Sequence, residues 1–153
     1  MMRDVLNLLA AALLGVSLGA MLSGGVLLIP FWRELAPADF LVWFGANARR
    51  MFVFFTPLQL GSALLASVAA VAALGSKSPS RHWAVIAALF AIAVLVPYFM
   101  FFQRANAGFA DPAANVNDVA AQLARYAEWQ WLRIGLGALA FASSLLAIFG
   151  RRG

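Results

Sequence analysis

The chain has no cysteine and one histidine, His82, which stands beside Arg81. Disulfides, thiolate-bound zinc, iron–sulfur clusters and thiol redox chemistry are therefore excluded, and a haem held by two histidines cannot form within one chain. His82 adjoins a polar turn, where we expect a solvated side chain at the membrane surface rather than a metal ligand. We predict no metal site and no cofactor.

Charged residues are also scarce. They make up 11% of the 153 residues, against 64% hydrophobic residues, and the mean hydropathy is +0.87. No Asp or Glu falls within the long apolar stretches, which disfavours a proton-coupled antiporter or a cation pore with an acidic ring. The formal charge of +5 would suggest nucleic acid as the partner of a soluble protein, but the basic residues here occupy loops and helix ends. We therefore expect membrane lipids as partners and no nucleic acid.

Long apolar stretches dominate the rest of the chain, at residues 5–30, 50–74, 82–103 and 129–149. Each is long enough, or nearly so, to cross a hydrocarbon core of about 30 Å at about 1.5 Å per residue. The sequence predicts an all-α membrane protein that folds as one domain, a bundle of four transmembrane helices. A multi-pass location in a bacterial inner membrane follows from this class.

The connection between the first two helices contains both helix-breaking residues and apolar residues. Pro30 is expected to end helix one, and Phe31 and Trp32 fit an aromatic belt at the membrane interface. Residues 33–50 are mixed in polarity and predict a short interfacial helix, after which helix two begins at about Ala48.

The other connections differ in length. A polar turn at residues 75–81 makes helices two and three antiparallel neighbours. The longer polar region, residues 104–124, ends in an amphipathic lead into helix four that Asn117 or Asp118 can cap. Pro57 within helix two predicts a kink.

The basic residues bear on topology. One side would hold Arg3, Lys77, Arg81, Arg151 and Arg152, and the other side six arginines, so the count alone does not decide. The charges on the first side lie in tails and a short loop, whereas several on the second side lie at helix ends. We therefore predict that both termini are cytoplasmic.

Small residues at intervals of four mark faces where helices are expected to touch. Gly15, Gly19 and Ser23 form one stripe on helix one. Helix three carries the same pattern in two pairs, Ala84 with Ala88 and Ala87 with Ala91. Packing within the bundle is the first interpretation, and a homodimer seam is the alternative.

Helix four carries a face that is polar at one end and small along its length. Its members are Tyr126, Gln130, Arg133, Gly137, Ala140 and Ser144. The small residues of this face should pack against other helices. Because Arg133 lies on the same face, its side chain should also point into the bundle. Two roles remain open for Arg133: snorkelling to the interface, or orienting an anionic or carbonyl-bearing ligand in an interhelical pocket through its guanidinium.

Helix two offers a counterpart. Arg49, Thr56 and Gln59 fall on one side of it, as further candidates for ligand binding or as ordinary hydrogen-bonding contacts between helices. Tyr98 on helix three is deep enough to need a hydrogen-bond partner.

These features occur in a characteristic order. A glycine-rich first helix ending at Pro30 is followed by "FTPLQLGSALL", then "VPYFMF", then "RYAEWQWLRIGLGALAF". This order resembles the small four-helix membrane family DUF1772, the anthrone-oxygenase-like family. That family ends helix three with Val-Pro-x-Asn and opens helix four with Trp, His and Arg. Here Arg133 and the Val-Pro pair match, whereas Phe99, Tyr126 and Gln130 stand in place of the Asn, Trp and His.

The resemblance implies a shared fold and an interhelical pocket for a lipophilic, aromatic or quinone-like small molecule. It also implies a possible activity, cofactor-independent oxygenation of an anthrone-type substrate, in which Arg133 would stabilise an enolate oxygen oriented by Gln130, Tyr126 and Gln59. The missing Asn and His would have supplied a base or ligand, so binding without catalysis is the primary prediction. The alternative is a non-catalytic structural or accessory subunit of a larger membrane complex. A small transporter ranks last because the coupling carboxylate is missing.

Overall fold

The structure is a computed structural model that describes residues 2–75 and 81–150. Within those ranges the chain is almost entirely helical and contains no strand. Its four long helices are α1 (Met2–Glu34), α2 (Pro37–Leu74), α3 (Arg81–Phe109) and α4 (Val116–Phe149). Each is long and apolar enough to cross a membrane, which confirms the predicted all-α class with four membrane-compatible helices.

Helix α1 runs past the point where we expected it to end. The expected break at Pro30 is absent, and the helix continues through this proline to Glu34. A π-helical turn at Gly24–Leu28 precedes the proline, and the N–H of Ile29 donates to the carbonyl of Gly24. Such a turn shifts the hydrogen-bond register, so the missing N–H and the ring of Pro30 are accommodated without ending the helix.

Helix α2 is one continuous element of 38 residues. The expected boundary near Ala48 is absent, because residues 37–50 continue directly into the apolar span instead of forming a separate interfacial helix. Phe40 and Phe44 in this segment pack against α1, α3 and α4, so their apolar face meets protein. At about 1.5 Å per residue the helix is about 57 Å long, which exceeds a core of about 30 Å.

Helix α3 is irregular around Pro97, which has no N–H to donate. The N–H of Leu95 donates to the carbonyl of Ile92 at 2.9 Å, and that of Tyr98 to the carbonyl of Leu95 at 3.1 Å, each three residues back. A π-helical turn at Tyr98–Phe102 follows. By contrast, α2 is helical on both sides of its internal proline.

The start of α4 is capped by a residue other than those expected. The side-chain oxygen of Asn115 accepts from the N–H of Asn117 at 3.1 Å, and Asp118 makes no capping hydrogen bond. Asn115 directly precedes the first helical residue, Val116, and its extended backbone lets its side chain reach forward to the first turn. The lead into the apolar span then buries Val119 and Leu123 on one face.

The four helices form a bundle in which each helix packs beside two others. Helices α1 and α3 each contact α2 and α4, so they lie diagonally opposite one another. Small side chains fill the middle of the bundle, and the buried ones include Ala63, Ala66, Ala70, Ala84, Ala87, Ala88, Ala91 and Ala140. Gly137 of α4 is buried against α1, where an added Cβ would collide with Met21. The predicted alanine faces of helix three are therefore contact faces.

The glycine stripe of α1 behaves differently from the alanine faces. Gly15 lies against the ring of Phe141, whose nearest carbon would be 3.1 Å from an added Cβ. Gly19 and Ser23 are exposed, and nothing approaches within 4 Å of a Cβ at Gly19. The expectation that all three residues mark one contact face within the bundle is therefore wrong, because α1 turns Gly19 and Ser23 away from its neighbours.

An aromatic cluster closes one end of the bundle, where α1 and α3 end and α2 and α4 begin. It consists of Ile29, Trp32, Phe40, Phe44, Phe109, Val119, Leu123 and Ala127. Trp32 is 3% exposed and contacts Phe40, Phe44 and Tyr126 edge-on or tilted. Because α1 continues past Pro30, the Trp32 side chain lies inside the cluster instead of on the outer surface, where an interfacial belt would have it. We call this the aromatic end.

The described basic residues lie at the two ends of the bundle, except Arg133, which is buried within it. Arg3 and Arg81 lie at the end opposite the aromatic end. The aromatic end carries Arg33, Arg49, Arg50, Arg104 and Arg125. Lys77, Arg151 and Arg152, on which the topology prediction partly depends, lie outside the described residues.

Candidate functional site

A crevice of about 380 Å³ lies between α2 and α3 near the aromatic end, with α4 at its base. We refer to it as the crevice. Five of the seven candidate residues line it: Arg49, Thr56, Gln59, Tyr98 and Arg133. The fold thus brings together side chains from three helices that the sequence placed only on separate helical faces.

The polar groups of the crevice form two levels. Helix α2 runs away from the aromatic end and α3 runs towards it, so Arg49 and Asn106 lie nearer that end. Thr56 and Tyr98 lie about two helical turns deeper. A molecule in the crevice would therefore meet hydrogen-bonding groups at its mouth and again at its base.

Aromatic rings form the walls between these levels. Phe52 and Phe55 project from α2, and Phe102 projects from α3. Phe52 is exposed on the outer surface, whereas Phe102 is fully buried. A concave space that combines aromatic walls with convergent polar groups is a common form of small-molecule site.

Arg133 is the charged group at the base. It is only 8% exposed, and its Nη2 donates a hydrogen bond to Oε1 of Gln59. Its guanidinium carbon lies 4.7 Å from the ring centroid of Phe102, within cation–π distance. The side chain therefore points into the bundle, and snorkelling to the interface, the other role left open, is not its conformation.

No carboxylate balances this buried charge. The chain has six Asp and Glu residues, all within the described ranges, and every one is exposed. A buried cation normally requires an opposite charge or a full set of acceptors, because removal from water costs several kcal/mol. Arg133 has one hydrogen-bonded side chain, Gln59, and the face of one ring.

A smaller cavity of about 40 Å³, the inner cavity, adjoins the crevice on the α1 side. Gln59 and Arg133 line both, whereas Trp32, Tyr126 and Gln130 line only the inner cavity. The seven candidates therefore surround two neighbouring spaces rather than one.

Tyr126 and Gln130 tie helices together beside these spaces. The Tyr126 hydroxyl donates to Oδ1 of Asn106 on α3 at 3.0 Å. The Gln130 amide donates to the carbonyl of Met21 on α1 at 2.7 Å. A Cβ at Gly24 would lie 3.1 Å from the Gln130 amide nitrogen, so a glycine is what lets this side chain reach the α1 backbone.

Several residues that line the two spaces were not among the sequence candidates, and Trp32, Phe102 and Asn106 are three of them. Trp32 was expected at the interface, and Phe102 and Asn106 carried no signal beyond their place at the end of the third apolar stretch. Period analysis could have placed Phe102 and Asn106 one turn apart and beyond Tyr98 on one face. The burial of Trp32 depends on the course of α1 past Pro30, which local sequence does not reveal.

The donor set limits the chemistry of the crevice. Its described lining contains no Asp, Glu, His or Cys, and the described residues contain no cluster of three or more such groups that could hold a metal. Arg133, Gln59, Thr56 and Tyr98 can hold and polarise an oxygen atom, but none is a general base at neutral pH. Phe99, for which the DUF1772 resemblance suggested an Asn, is exposed and outside both spaces.

The chain matches no protein-family model, no curated protein and no solved structure.

Proposed function

We propose that this chain is an integral membrane protein that binds a lipophilic small molecule in the crevice, with a carbonyl or acid oxygen of that molecule held at Arg133. One observation carries the proposal: an arginine without a carboxylate partner lies buried at the base of an aromatic-walled space. A ligand oxygen would supply the acceptor that the protein does not.

The shape of the crevice supports an amphiphilic ligand. Its walls include Phe52, which is exposed on the side of α2 that would face lipid in a bilayer. A hydrophobic molecule dissolved in the membrane could therefore enter sideways, between α2 and α3. Arg49 and Asn106 at the mouth would meet any second polar group of the ligand.

Binding without turnover is the form of the proposal that the residues favour. The DUF1772 resemblance would extend it to oxygenation of an anthrone-type substrate, with Arg133 stabilising an enolate. That extension needs a group to remove the substrate's proton, and the described lining of the crevice offers no carboxylate or imidazole for it. The location that accompanies the proposal is a bacterial inner membrane with both termini cytoplasmic.

An accessory subunit is the second candidate, favoured by a different observation. Gly19 and Ser23 are exposed on α1, although small residues at this spacing usually allow another helix to approach. A second membrane chain, or a second copy of this one, could pack there. Crosslinking in native membranes that recovers only the monomer or a homodimer would count against an accessory subunit.

The test of the binding proposal is native mass spectrometry of the detergent-extracted protein, with identification of co-purified molecules and with oleate and decylubiquinone as added acid and carbonyl probes. We expect at least one probe to be retained by the wild type and lost in Arg133→Gln. Arg125→Gln, an exposed arginine on the same helix, is the matched control and should retain the probe.

A second variant separates loss of the site from loss of the fold. Phe52→Ala removes an exposed crevice wall that has no role in the buried core, and it should weaken retention without changing thermal stability. If the wild type carries only bulk phospholipid and retains neither probe, the binding proposal is wrong and the search should turn to protein partners.

A further inference from the structure

The exposed surface of the bundle changes character towards the aromatic end. On α2 every exposed residue from Phe52 to Leu74 is apolar, over about 33 Å, and Arg49 and Arg50 lie just before this stretch. On α4 every exposed residue from Trp131 to Phe149 is apolar, over about 27 Å, and Arg125 lies before it. Both lengths are close to the thickness of a hydrocarbon core, about 30 Å.

Exposed arginines follow this change of surface on three helices. They are Arg49 and Arg50 of α2, Arg104 of α3 and Arg125 of α4, and we call them the neck arginines. None of them makes an ion pair or a side-chain hydrogen bond within the described ranges. Their guanidinium groups therefore keep the paired N–H donors that match the oxygens of a phosphate.

Contacts between helices place these arginines near one level. Arg49 lines the mouth of the crevice together with Gln103, the chain neighbour of Arg104. The guanidinium carbon of Arg125 lies 5.8 Å from the ring centroid of Phe101, which is three residues before Arg104. The arginines of α2, α3 and α4 therefore lie within about two helical turns of one another in height.

Tryptophan side chains mark the same level. Trp131 is 52% exposed on α4, and Trp129 stacks on Phe101 of α3 with ring centroids 5.6 Å apart. Both tryptophans lie one to two turns from Arg125, on the side of the apolar surface. Tryptophan is enriched at the headgroup level of membranes, and arginine stems extend from apolar surface towards headgroups. Two separate features thus indicate the edge of the hydrocarbon core here.

The aromatic end extends well beyond this level. From Pro37 to Arg49, α2 covers about 18 Å, and its exposed residues before Arg49 are Pro, Ala, Gly, Asp and one Val, Val42. Acidic residues are concentrated in this outer part. Of the six in the chain, three lie beyond the neck arginines, two lie closer to them and one lies at the opposite end: Asp39, Asp111 and Asp118, then Glu34 and Glu128, then Asp4.

We infer that the neck arginines bind the phosphates of anionic phospholipids at the membrane surface, so that the aromatic end projects into water as a headpiece. Charge complementarity identifies this partner, because basic side chains at a membrane surface favour anionic over zwitterionic lipids. The inference shares with the proposed function only the insertion of the bundle in a membrane. It does not require a ligand in the crevice.

Spin-labelled phosphatidylglycerol and phosphatidylcholine with identical chains measure the lipid preference in proteoliposomes. We expect the wild type to associate about threefold more strongly with the anionic lipid. Arg50→Gln combined with Arg104→Gln and Arg125→Gln should bring this ratio close to one. Arg50→Lys with Arg104→Lys and Arg125→Lys retains the charge and should keep most of the preference. Equal association of the wild type with both lipids would overturn the inference.

A charge change on the headpiece is the matched control. Asp39→Asn combined with Asp118→Asn also alters the net charge, but at positions that lie farther from the headgroups than a Debye length of about 10 Å at 0.1 M salt. The lipid ratio should therefore stay at its wild-type value. A clear rise would mean that the headpiece lies on the membrane surface, against the inference.

The height of the headpiece is measured with nitroxide labels on α2, in a chain that has no cysteine of its own. Val42→Cys and Phe54→Cys replace residues that are 75% and 59% exposed and about 18 Å apart along the helix. In liposomes the label at position 42 should collide with a water-soluble nickel complex, and the label at position 54 with oxygen dissolved in the bilayer. A label at position 42 that meets oxygen instead would place the headpiece in lipid and overturn the inference.

The same experiments separate this inference from the proposed function. The triple glutamine variant should still retain the crevice probe, because Arg50, Arg104 and Arg125 do not line the crevice. A wild type that prefers the anionic lipid but retains no probe would reject ligand binding alone. A label at position 54 that meets nickel and not oxygen would reject membrane insertion, and with it both proposals.

Discussion

Arg133 of α4 donates a hydrogen bond from Nη2 to Oε1 of Gln59 on α2, joining two buried side chains 74 positions apart in the chain. Helices α2 and α4 are not principal packing partners in the bundle, since each packs mainly against α1 and α3. This hydrogen bond therefore links diagonal helices across the bundle axis, at the level where the crevice and the inner cavity meet.

Removing the acceptor of this pair should destabilise the fold. In Gln59→Leu the Arg133 guanidinium loses its only side-chain hydrogen bond among the described residues, at a cost of about 1–3 kcal/mol. Thermal unfolding of the purified protein measures the loss. Gln103→Leu, at an exposed crevice residue, should change stability by less than about 0.5 kcal/mol. Equal effects of the two substitutions would mean that the pair contributes nothing.

A carboxylate at the same position should have the opposite effect. Gln59→Glu would place a negative charge beside Arg133 and supply the missing counter-charge within the chain. We expect this variant to be at least as stable as the wild type, measured as its Tm in thermal unfolding. A Tm clearly below that of the wild type would contradict this account of the charge balance.

Gly137 is buried and Gly19 is exposed, so the same substitution at each position compares a packed helix face with an open one. Gly137→Val would push a side chain into Met21 of α1 and should cost about 1–3 kcal/mol through overpacking. Gly19→Val meets nothing within 4 Å and should leave the monomer's stability unchanged or slightly raised. Thermal unfolding compares the two. If Gly19→Val instead lowers the oligomeric state in native mass spectrometry, the exposed face of α1 is an interface.

The Tyr126 to Asn106 hydrogen bond should couple α3 and α4 energetically. Tyr126→Phe removes the donor and Asn106→Ala the acceptor, each at about 0.5–1.5 kcal/mol. Because both act on one interaction, the double variant should cost less than the sum of the single variants. A double-mutant cycle by thermal unfolding measures this coupling, and strict additivity would show that the bond is not formed.

The aromatic end should act as a core rather than a membrane-surface segment. Phe40 is 0% exposed, so Phe40→Ala should destabilise the protein by about 3–5 kcal/mol. Phe54 lies on the same helix and is 59% exposed, so Phe54→Ala is the control and should cost little. Similar unfolding temperatures for the two variants would mean that residues 37–50 lie on the membrane surface, as the sequence alone suggested.

Topology can be measured without background labelling because the chain has no cysteine. Asp39→Cys and Asp118→Cys lie at the aromatic end, and Gly75→Cys lies at the opposite end. With both termini cytoplasmic, a membrane-impermeant maleimide should label positions 39 and 118 from outside intact cells and leave position 75 unlabelled. The reverse pattern would invert the proposed orientation.

The boundaries of α1 and α2 differ from those predicted from local sequence. Pro30 and the mixed polarity of residues 33–50 indicated a break and a surface helix, by rules that hold for isolated segments. In the structure α1 instead continues to Glu34 and α2 begins at Pro37, because the rings of Trp32, Phe40 and Phe44 pack against one another. Tertiary packing overrode the local signals at both places.

The candidate site was also only partly predictable from the sequence. Periodicity placed Arg133 with Gln130 and Tyr126, and Arg49 with Thr56 and Gln59, since residues three, four or seven apart share a helical face. It did not reveal that these faces border two neighbouring spaces, because the crevice also takes a wall from α3, at Tyr98 and Phe102, and the inner cavity takes one from Trp32. Whether the crevice binds the proposed ligand stays a prediction.

The sequence by itself determined the class of this protein, since hydropathy summed over about 20 residues needs no knowledge of neighbours. It also determined what the crevice cannot contain, because a chain without cysteine and without acidic residues in its apolar stretches has few reactive groups to bury. Only the tertiary structure decided which polar groups lost water. The face of small residues on α4 directed Arg133 inward, but the pairing of Arg133 with Gln59 and the burial of Trp32 depend on contacts between helices that are distant in the chain.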